Sequence, residues 1–334
     1  MDDVIVTAYI KNDSKECERV IHLISKIKDL KPHQKIIINI DEDPAYKNKF
    51  FDSVPYLQIG PYQLRSPITR EKILITLNAA RDRLKQLKKI NDPVYVQKEK
   101  KSKTYSRTDR ISFWLTRHYM LLINFLLFLY VGLPFLAPIL MKLSLERPAR
   151  VIYAVYRPLC HQFAFRSWFL FGEQPVYPRE LANLDYPITY EDIVGHEAID
   201  PLEARMIIGN DKLGYKVALC QRDVAIWGSF LITGITFSIF RRKIHPIPWY
   251  LWLVVGVLPI ALDGGTQFLN LALPALDLFL IRESTPLFRT ITGAIFGILT
   301  GWYLFPLIEE SMIDTEQILD RKHRITEKLK SPGH

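Results

Sequence analysis

Hydrophobic positions follow two different rhythms along the chain. Up to about residue 90, short apolar runs alternate with polar stretches. Val4 to Ile10 and Lys35 to Ile40 are β-rich runs of the kind that form buried, parallel-type strands. Between them Val20, Ile21, Ile24 and Ile27 recur at helical spacing behind the cap candidates Asp13 and Ser14. Asp43-Pro44 opens a second short helix, and Val54 to Ile59 followed by Gly60-Pro61 reads as a strand entering a hairpin. Thr69 caps a last helix carrying Ile73, Leu74, Leu77, Leu84 and Leu87. From residue 119 onward the rhythm gives way to long uncharged runs: Tyr119 to Met141, Val224 to Phe240, Pro246 to Leu262 and Thr290 to Ile308. A hydrocarbon core of about 30 Å is crossed by about 20 apolar residues, so these runs predict about four transmembrane helices. Pro134 and Pro138 are expected to kink or end the first. Phe268 to Ile281 is apolar but short and contains Pro274 and Asp277, which predicts an interfacial or re-entrant segment.

The expected fold class is therefore an α/β soluble domain joined to an all-α polytopic membrane domain. Residues 1–90 form the first, 91–117 a basic juxtamembrane linker, 118–310 the membrane domain with spans near 119–141, 224–240, 246–262 and 290–308, and 311–334 a basic cytosolic tail. Average composition conceals this division, because 49% hydrophobic residues in 334 is ordinary for a globular protein. Charge locates the membrane instead. The net charge of +9 comes from basic residues gathered beside the apolar runs, with no aromatic-interleaved stripe, which excludes a nucleic-acid-binding surface. Lys98, Lys100, Lys101, Lys103, Arg107, Arg110 and Arg117 precede the first span, Arg241-Arg242-Lys243 joins the second and third, and Arg321, Lys322, Arg324, Lys328 and Lys330 follow the fourth. The positive-inside rule then places both termini in the cytosol of a multi-pass plasma-membrane protein, against which Arg147 and Arg150 stand as exceptions. The 98–117 linker is of the type that anionic cytoplasmic lipid attracts, beyond its role in setting topology. The N-terminus lacks the basic start, apolar core and cleavage site of a signal peptide.

Cysteines are few: Cys17, Cys160 and Cys220 exclude a disulfide-stapled secreted fold. With four spans, Lys142 to Asp223 and Asp263 to Arg289 share the extracytoplasmic face, and they hold the residues that look chemically purposeful. The first connection carries Arg157-Pro-Leu-Cys160-His161-Gln162, Arg166-Ser167 and Cys220-Gln221-Arg222-Asp223. The second carries Asp263-Gly-Gly-Thr266-Gln267, Arg282-Glu283-Ser284 and Arg289-Thr-Ile-Thr-Gly293. Cys160-His161-Gln162, Arg166-Ser167, Cys220, Arg222, Asp263-Gly264, Gln267, Arg289 and Thr292-Gly293 resemble the pattern of a bacterial and archaeal membrane family, domain-of-unknown-function family 2085. The resemblance covers roughly Arg150 to Leu307, apart from about forty extra residues before Cys220, and implies no activity. In that family a further cysteine often stands where this chain has Asp223.

Four readings of these residues follow. Cys220 and Asp223, three apart at the start of a helix, point the same way, and with Cys160 and either His161 or Asp263 they make four ligands of the types zinc accepts. Cys160 and Cys220 on an oxidising face can instead form a disulfide, structural or exchanging. Arg166, Arg222, Arg282 and Arg289 suit an anionic head group or a transported anion. Or the polar residues only bond one another and close the helix ends. His161, Arg166, Arg222, Gln267 and Arg289 are the candidates for any catalytic role, although no reaction is legible. Between the matching halves, Pro201 to Ile208 predicts a short amphipathic helix stopped at Gly209-Asn210, within a surface insertion at the membrane interface or a lid over the site.

The first ninety residues, in the order β-α-β-α-β-β-α with Val54-Pro55 at the third strand, resemble the glutaredoxin branch of the thioredoxin fold. In that family a cis-proline faces a Cys-x-x-Cys pair opening the first helix, where the helix N-terminus stabilises a thiolate. Here Ser14 and Cys17 stand at the matching positions. The resemblance thus implies a thioredoxin-like domain without the dithiol nucleophile, used for docking or regulation. Cys17 is either a half-buried packed thiol or a monothiol redox group.

Overall fold

The computed structural model describes residues 4–30, 33–42, 53–90, 104–196, 200–240, 244–272 and 283–330. The chain divides into two compact units, one made of residues 1–117 and 311–334, the other of residues 118–310.

In the first unit β1 (Val4–Ile10), β2 (His33–Asn39), β3 (Tyr56–Ile59) and β4 (Tyr62–Arg65) form one sheet in the order β2-β1-β3-β4. β1 runs parallel to β2 and antiparallel to β3, and β3–β4 is a hairpin. Because β1 is central, it is apolar on both faces. On one face Val4, Val6 and Ala8 pack against Val20, Ile24 and Ile27 of α1 (Lys15–Leu30) and Ile73, Leu77 and Ala80 of α2 (Arg70–Ile90). The hydroxyl oxygens of Ser14 and Thr69 accept from the backbone N–H groups of Cys17 and Lys72, which satisfies donors that a helix start leaves free. The Val54–Pro55 peptide is cis. The helix expected from Asp43-Pro44 falls on residues 43–52, outside the described residues.

The second face is covered by a segment from the far end of the chain. Tyr9, Ile36, Ile38, Ile40 and Tyr56 form a separate apolar cluster against which Ile325 packs. Residues 311–330, which the sequence presents as a basic tail, continue the long helix that begins at Pro286, and Arg321 and Lys322 donate to Gln58 and Asp109.

The second unit contains the apolar helices. Four are long and apolar enough to cross a bilayer: α3 (Arg107–Lys142), whose residues from 118 onward belong here, α7 (Gln221–Phe240), a compound helix, and α10 (Pro286–Lys330). The compound helix starts as α8 (Trp249–Leu251), passes through a π-helical turn Trp252–Val257 and continues as α9 (Leu258–Ala272). Phe268–Ala272 is the end of α9; the rest of the proposed re-entrant segment, the loop 241–243 and Arg282 lie outside the described residues. α3 runs on through Pro134 and Pro138, so neither ends it. Leu121, Phe125, Leu126, Phe128, Ile232 and Ile239 are each more than half exposed, a display that water would penalise and lipid tails accept.

Polar bonds and small residues draw the spans together. Asn124 donates to Ser238 across α3 and α7, and Trp252 donates from its indole to Thr300 across to α10. Gly293, Gly297 and Gly301, one turn apart on α10, face Arg222, Ala225, Ile226, Ser229 and Thr233 of α7 so closely that a Cβ there would collide. Outside the spans, α4 (Glu146–Tyr156), α5 (Tyr190–Val194), α6 (Pro201–Met206) and the antiparallel sheet β5-β7-β6 (Ser167–Leu170, Gly214–Cys220, Gly209–Asn210) build a small lobe. Its core is Phe163, Ala164, Phe165, Phe169, Tyr177, Tyr190 and Ala204.

Candidate functional site

Cys160 closes the turn that follows α4, its N–H bonded to the Tyr156 carbonyl, and Cys220 is the last residue of β7, one step before α7. Two local features bring them face to face. Gln162 adopts a left-handed backbone (φ 54°), uncommon for a residue with a Cβ, and is held there by its side-chain amide, which donates to the carbonyls of Tyr153 and Ala218. The turn is thereby tied to both α4 and β7. The Cys220 N–H then donates to Cys160 Sγ (3.3 Å), and Cys220 Sγ accepts from the Asp223 N–H (3.4 Å) as the cap of α7.

The result is a close trio. Single ligand atoms of Cys160, His161 and Cys220 all lie within 4.8 Å of one another, and Cys160 Sγ is 3.6 Å from His161 Nδ1. Adjacency along the chain therefore does not keep Cys160 and His161 from facing one point. Both cysteines are buried and free thiols. Hydrogen bonding with Cys220, then burial, raises the Cys160 thiol above its ordinary value, and the charge and hydrogen bond of Asp223 act in the same direction. The His161 imidazole is lowered to about 3, by burial first and then by Arg166, Arg289, Arg222 and Arg205. It is a neutral ring at pH 7, able to offer a lone pair. Its other contact is a stack on Phe163 at 4.4 Å, which continues to Phe165 and the Arg166 guanidinium.

The remaining predicted residues belong to a second, ionic group. Asp263 is taken up by Arg222 and by Ser284, whose hydroxyl donates to it at 3.0 Å, while Gln267 donates to the Asp263 backbone carbonyl. Asp263 does not join the trio, and Asp223 is the carboxylate beside it. Gly264 leaves the room in which the Arg222 guanidinium lies, since a Cβ there would sit 2.7 Å from its Nη1. Glu283 accepts a bidentate pair from Arg166 (2.9 and 3.1 Å) and a further bond from Arg289. Arg289, 2% exposed, also donates to the side-chain carbonyl of Gln221, whose amide donates to Ser167. Three of the four arginines considered for an anion are thus committed to carboxylates, and Arg282 is outside the described residues.

Glu283, Ser284 and Gln221 also belong to this group, and the sequence does not single them out: each is one charge, hydroxyl or amide at a span boundary, which has many ordinary explanations. Cys17, the third redox candidate, is 1% exposed within the first unit, in the first turn of α1.

Part of this arrangement lies in a segment that resembles other proteins. Residues 211–303 match the family described as predicted membrane protein (DUF2085). An uncharacterized protein of Methanocaldococcus jannaschii is 27% identical over 206 residues, which span 59% of this chain and 96% of that protein. No solved structure matches. The family match begins between Cys160 and Cys220, so it covers Cys220, the Arg222–Asp263 pair and the α7–α10 contact, whereas Cys160 and His161 lie before it.

Proposed function

We propose that this integral membrane protein carries an extracytoplasmic site for a thiophilic divalent ion, zinc by preference, held by Cys160, His161 and Cys220 with Asp223 as the fourth ligand. The approach of the three ligand atoms carries this reading. Zinc bonds of about 2.3 Å to sulfur and 2.0 Å to nitrogen put ligand atoms ~3.3–3.8 Å apart in a tetrahedron, so the trio needs to close by no more than about 1.5 Å. The fourth residue is a carboxylate where relatives of this type often carry cysteine, and zinc accepts either. Loading would expel the Cys160 proton, which makes affinity rise with pH. The ion would be structural with four protein ligands, or catalytic if Asp223 gives way to water. Metal analysis of the full chain in detergent is expected to find about one zinc per molecule, retained in Cys17→Ala and lost in Cys160→Ala and Cys220→Ala.

The closeness of the two sulfurs favours a second reading, thiol–disulfide chemistry between Cys160 and Cys220. Absence of metal together with two thiols that alkylate only after reduction would select it.

The first unit fits a degenerate thioredoxin-like domain. Its support is the β2-β1-β3-β4 order with a parallel β1–β2 pair and both helices of one face in place. Ser14 caps α1 where the dithiol family has its nucleophile, and a serine oxygen cannot form the mixed disulfide that starts that cycle. Docking or regulation from the cytosolic side, aided by anionic lipid at the 98–117 linker, is the role proposed for it. Tags placed before Met1 and after His334 should both be reachable only after the plasma membrane is permeabilised. Labelling of either tag on intact cells would reverse the orientation.

A further inference from the structure

A small cavity beside the cysteine turn is lined by cations without acids. Its volume is about 120 Å³, room for about four waters at ~30 Å³ each. Arg150, Arg157, Arg205 and Lys216 surround it, and Met206 and Ile208 supply an apolar wall. Lys216 is fully buried in β7, and its ammonium donates to the carbonyls of Gln162 and Arg205. Arg205 donates to the carbonyls of Arg157, Cys160 and His161 at the end of α4. Arg157 donates to the Met206 sulfur. Among the described residues, Arg157, Arg205 and Lys216 make no ion pair, and Arg150 is paired with Glu146 on the exposed side of α4.

Carbonyl oxygens carry partial charge, so they orient these cations without neutralising them. Three positive groups around one cavity repel one another, and burying an unpaired charge is costly. Burial lowers the Lys216 ammonium to about 7, with Arg157 and Arg205 pushing the same way. An anion would remove each of these costs together. Arginine forks at the rim and a fixed ammonium on the floor match the oxygens of a phosphoryl group. Val151, Val155 and Leu159 of the same segment are each more than half exposed, an apolar display that a position at the membrane interface would accept.

We infer that this cavity is a binding site for a phosphoryl group, built from Arg150, Arg157, Arg205 and Lys216. It is separate from the ionic group around Glu283, and Arg150 and Arg157 are not among the residues proposed to hold a metal. The phosphoryl group has two sources, a phospholipid head group or free phosphate, and the test has an arm for each.

The full chain in detergent would be titrated with inorganic phosphate by calorimetry. In parallel, native mass spectrometry would follow phosphatidylglycerol, against phosphatidylcholine, after both lipids are supplied at equal concentration. Arg157→Gln and the double variant Arg150→Gln/Arg157→Gln change exposed side chains only, so folding is retained; Lys216→Met removes the buried charge. Saturable phosphate binding weakened at least about tenfold by the exposed variants, as expected for loss of a charge-assisted contact, assigns free phosphate. Selective retention of phosphatidylglycerol, lost in the same variants, assigns a lipid. Binding of neither probe, or binding of either that Arg150→Gln/Arg157→Gln leaves unchanged, overturns the inference.

Discussion

Glu283→Gln is expected to lower the stability of the membrane unit by about 3–5 kcal/mol, the usual consequence of removing one partner from a buried ion pair. The carboxylate is 7% exposed and is shared by Arg166 and by Arg289, itself 2% exposed. Glutamine keeps the shape but leaves two guanidinium groups with one uncharged acceptor between them. The Nε atom of Arg289 already lacks a partner, so that side chain has little capacity to find compensation locally. Thermal unfolding of the full chain in detergent should show a fall in midpoint on the order of 10 °C. Replacing the whole triad instead, as Glu283→Leu with Arg166→Met and Arg289→Met, should restore much of the loss, because a buried ionic triad replaced whole by apolar residues is often neutral or stabilising. If Glu283→Gln alone unfolds with the wild-type midpoint, the ion pairs contribute nothing that water does not replace.

Gly297→Leu should be more disruptive still and should prevent assembly of α7 against α10. A Cβ at Gly297 would lie 2.1 Å from Ser229 Oγ and 2.2 Å from the Ile226 carbonyl oxygen. The hydroxyl can rotate, but the carbonyl belongs to the helix backbone and cannot yield unless the two helices separate. Separation exposes the flanking contacts at Gly293 and Gly301 and pulls Arg222 from its place beside Gly264. Overpacking commonly costs about 1–3 kcal/mol where side chains can adjust, and here they cannot. Size-exclusion profiles of the detergent-solubilised protein are the readout, with Gly132→Leu as control, since nothing lies within 4 Å of a Cβ there. A monodisperse Gly297→Leu protein would show that the α7–α10 approach is not obligatory.

The Gly293, Gly297, Gly301 series was visible in the sequence as a small residue every fourth position of an uncharged run, the pattern by which helices approach closely in lipid. Read only as a span, the run hid which face met a neighbour. The sequence of the insertion before Cys220 predicts surface packing or a lid. In the structure its helix α6 sends Arg205 to the carbonyls of the cysteine turn, so it holds the site's backbone in shape.

Local periodicity determined what is local. The alternation of apolar and polar residues marked β1, β2 and the helices on one face of the sheet, and runs without charge marked the four long apolar helices, because strand and helix geometry repeat over two to four residues. Residue types at the ends of those runs also marked Cys160, His161 and Cys220, since thiols and imidazole are scarce and conspicuous. Which acid serves which base was decided only by tertiary structure. Arg166 and Glu283 are separated by 117 residues, Arg222 and Asp263 by 41, and Cys160 and Cys220 by 60. Over such separations no spacing rule applies, and each carboxylate goes to whichever guanidinium the packed helices present to it. Asp263 therefore went to Arg222, and Asp223 was left beside the thiols. The cavity of Arg150, Arg157, Arg205 and Lys216 has the same origin: its cations come from α4, the turn after it, α6 and β7, and only the close packing of that lobe sets them around one space.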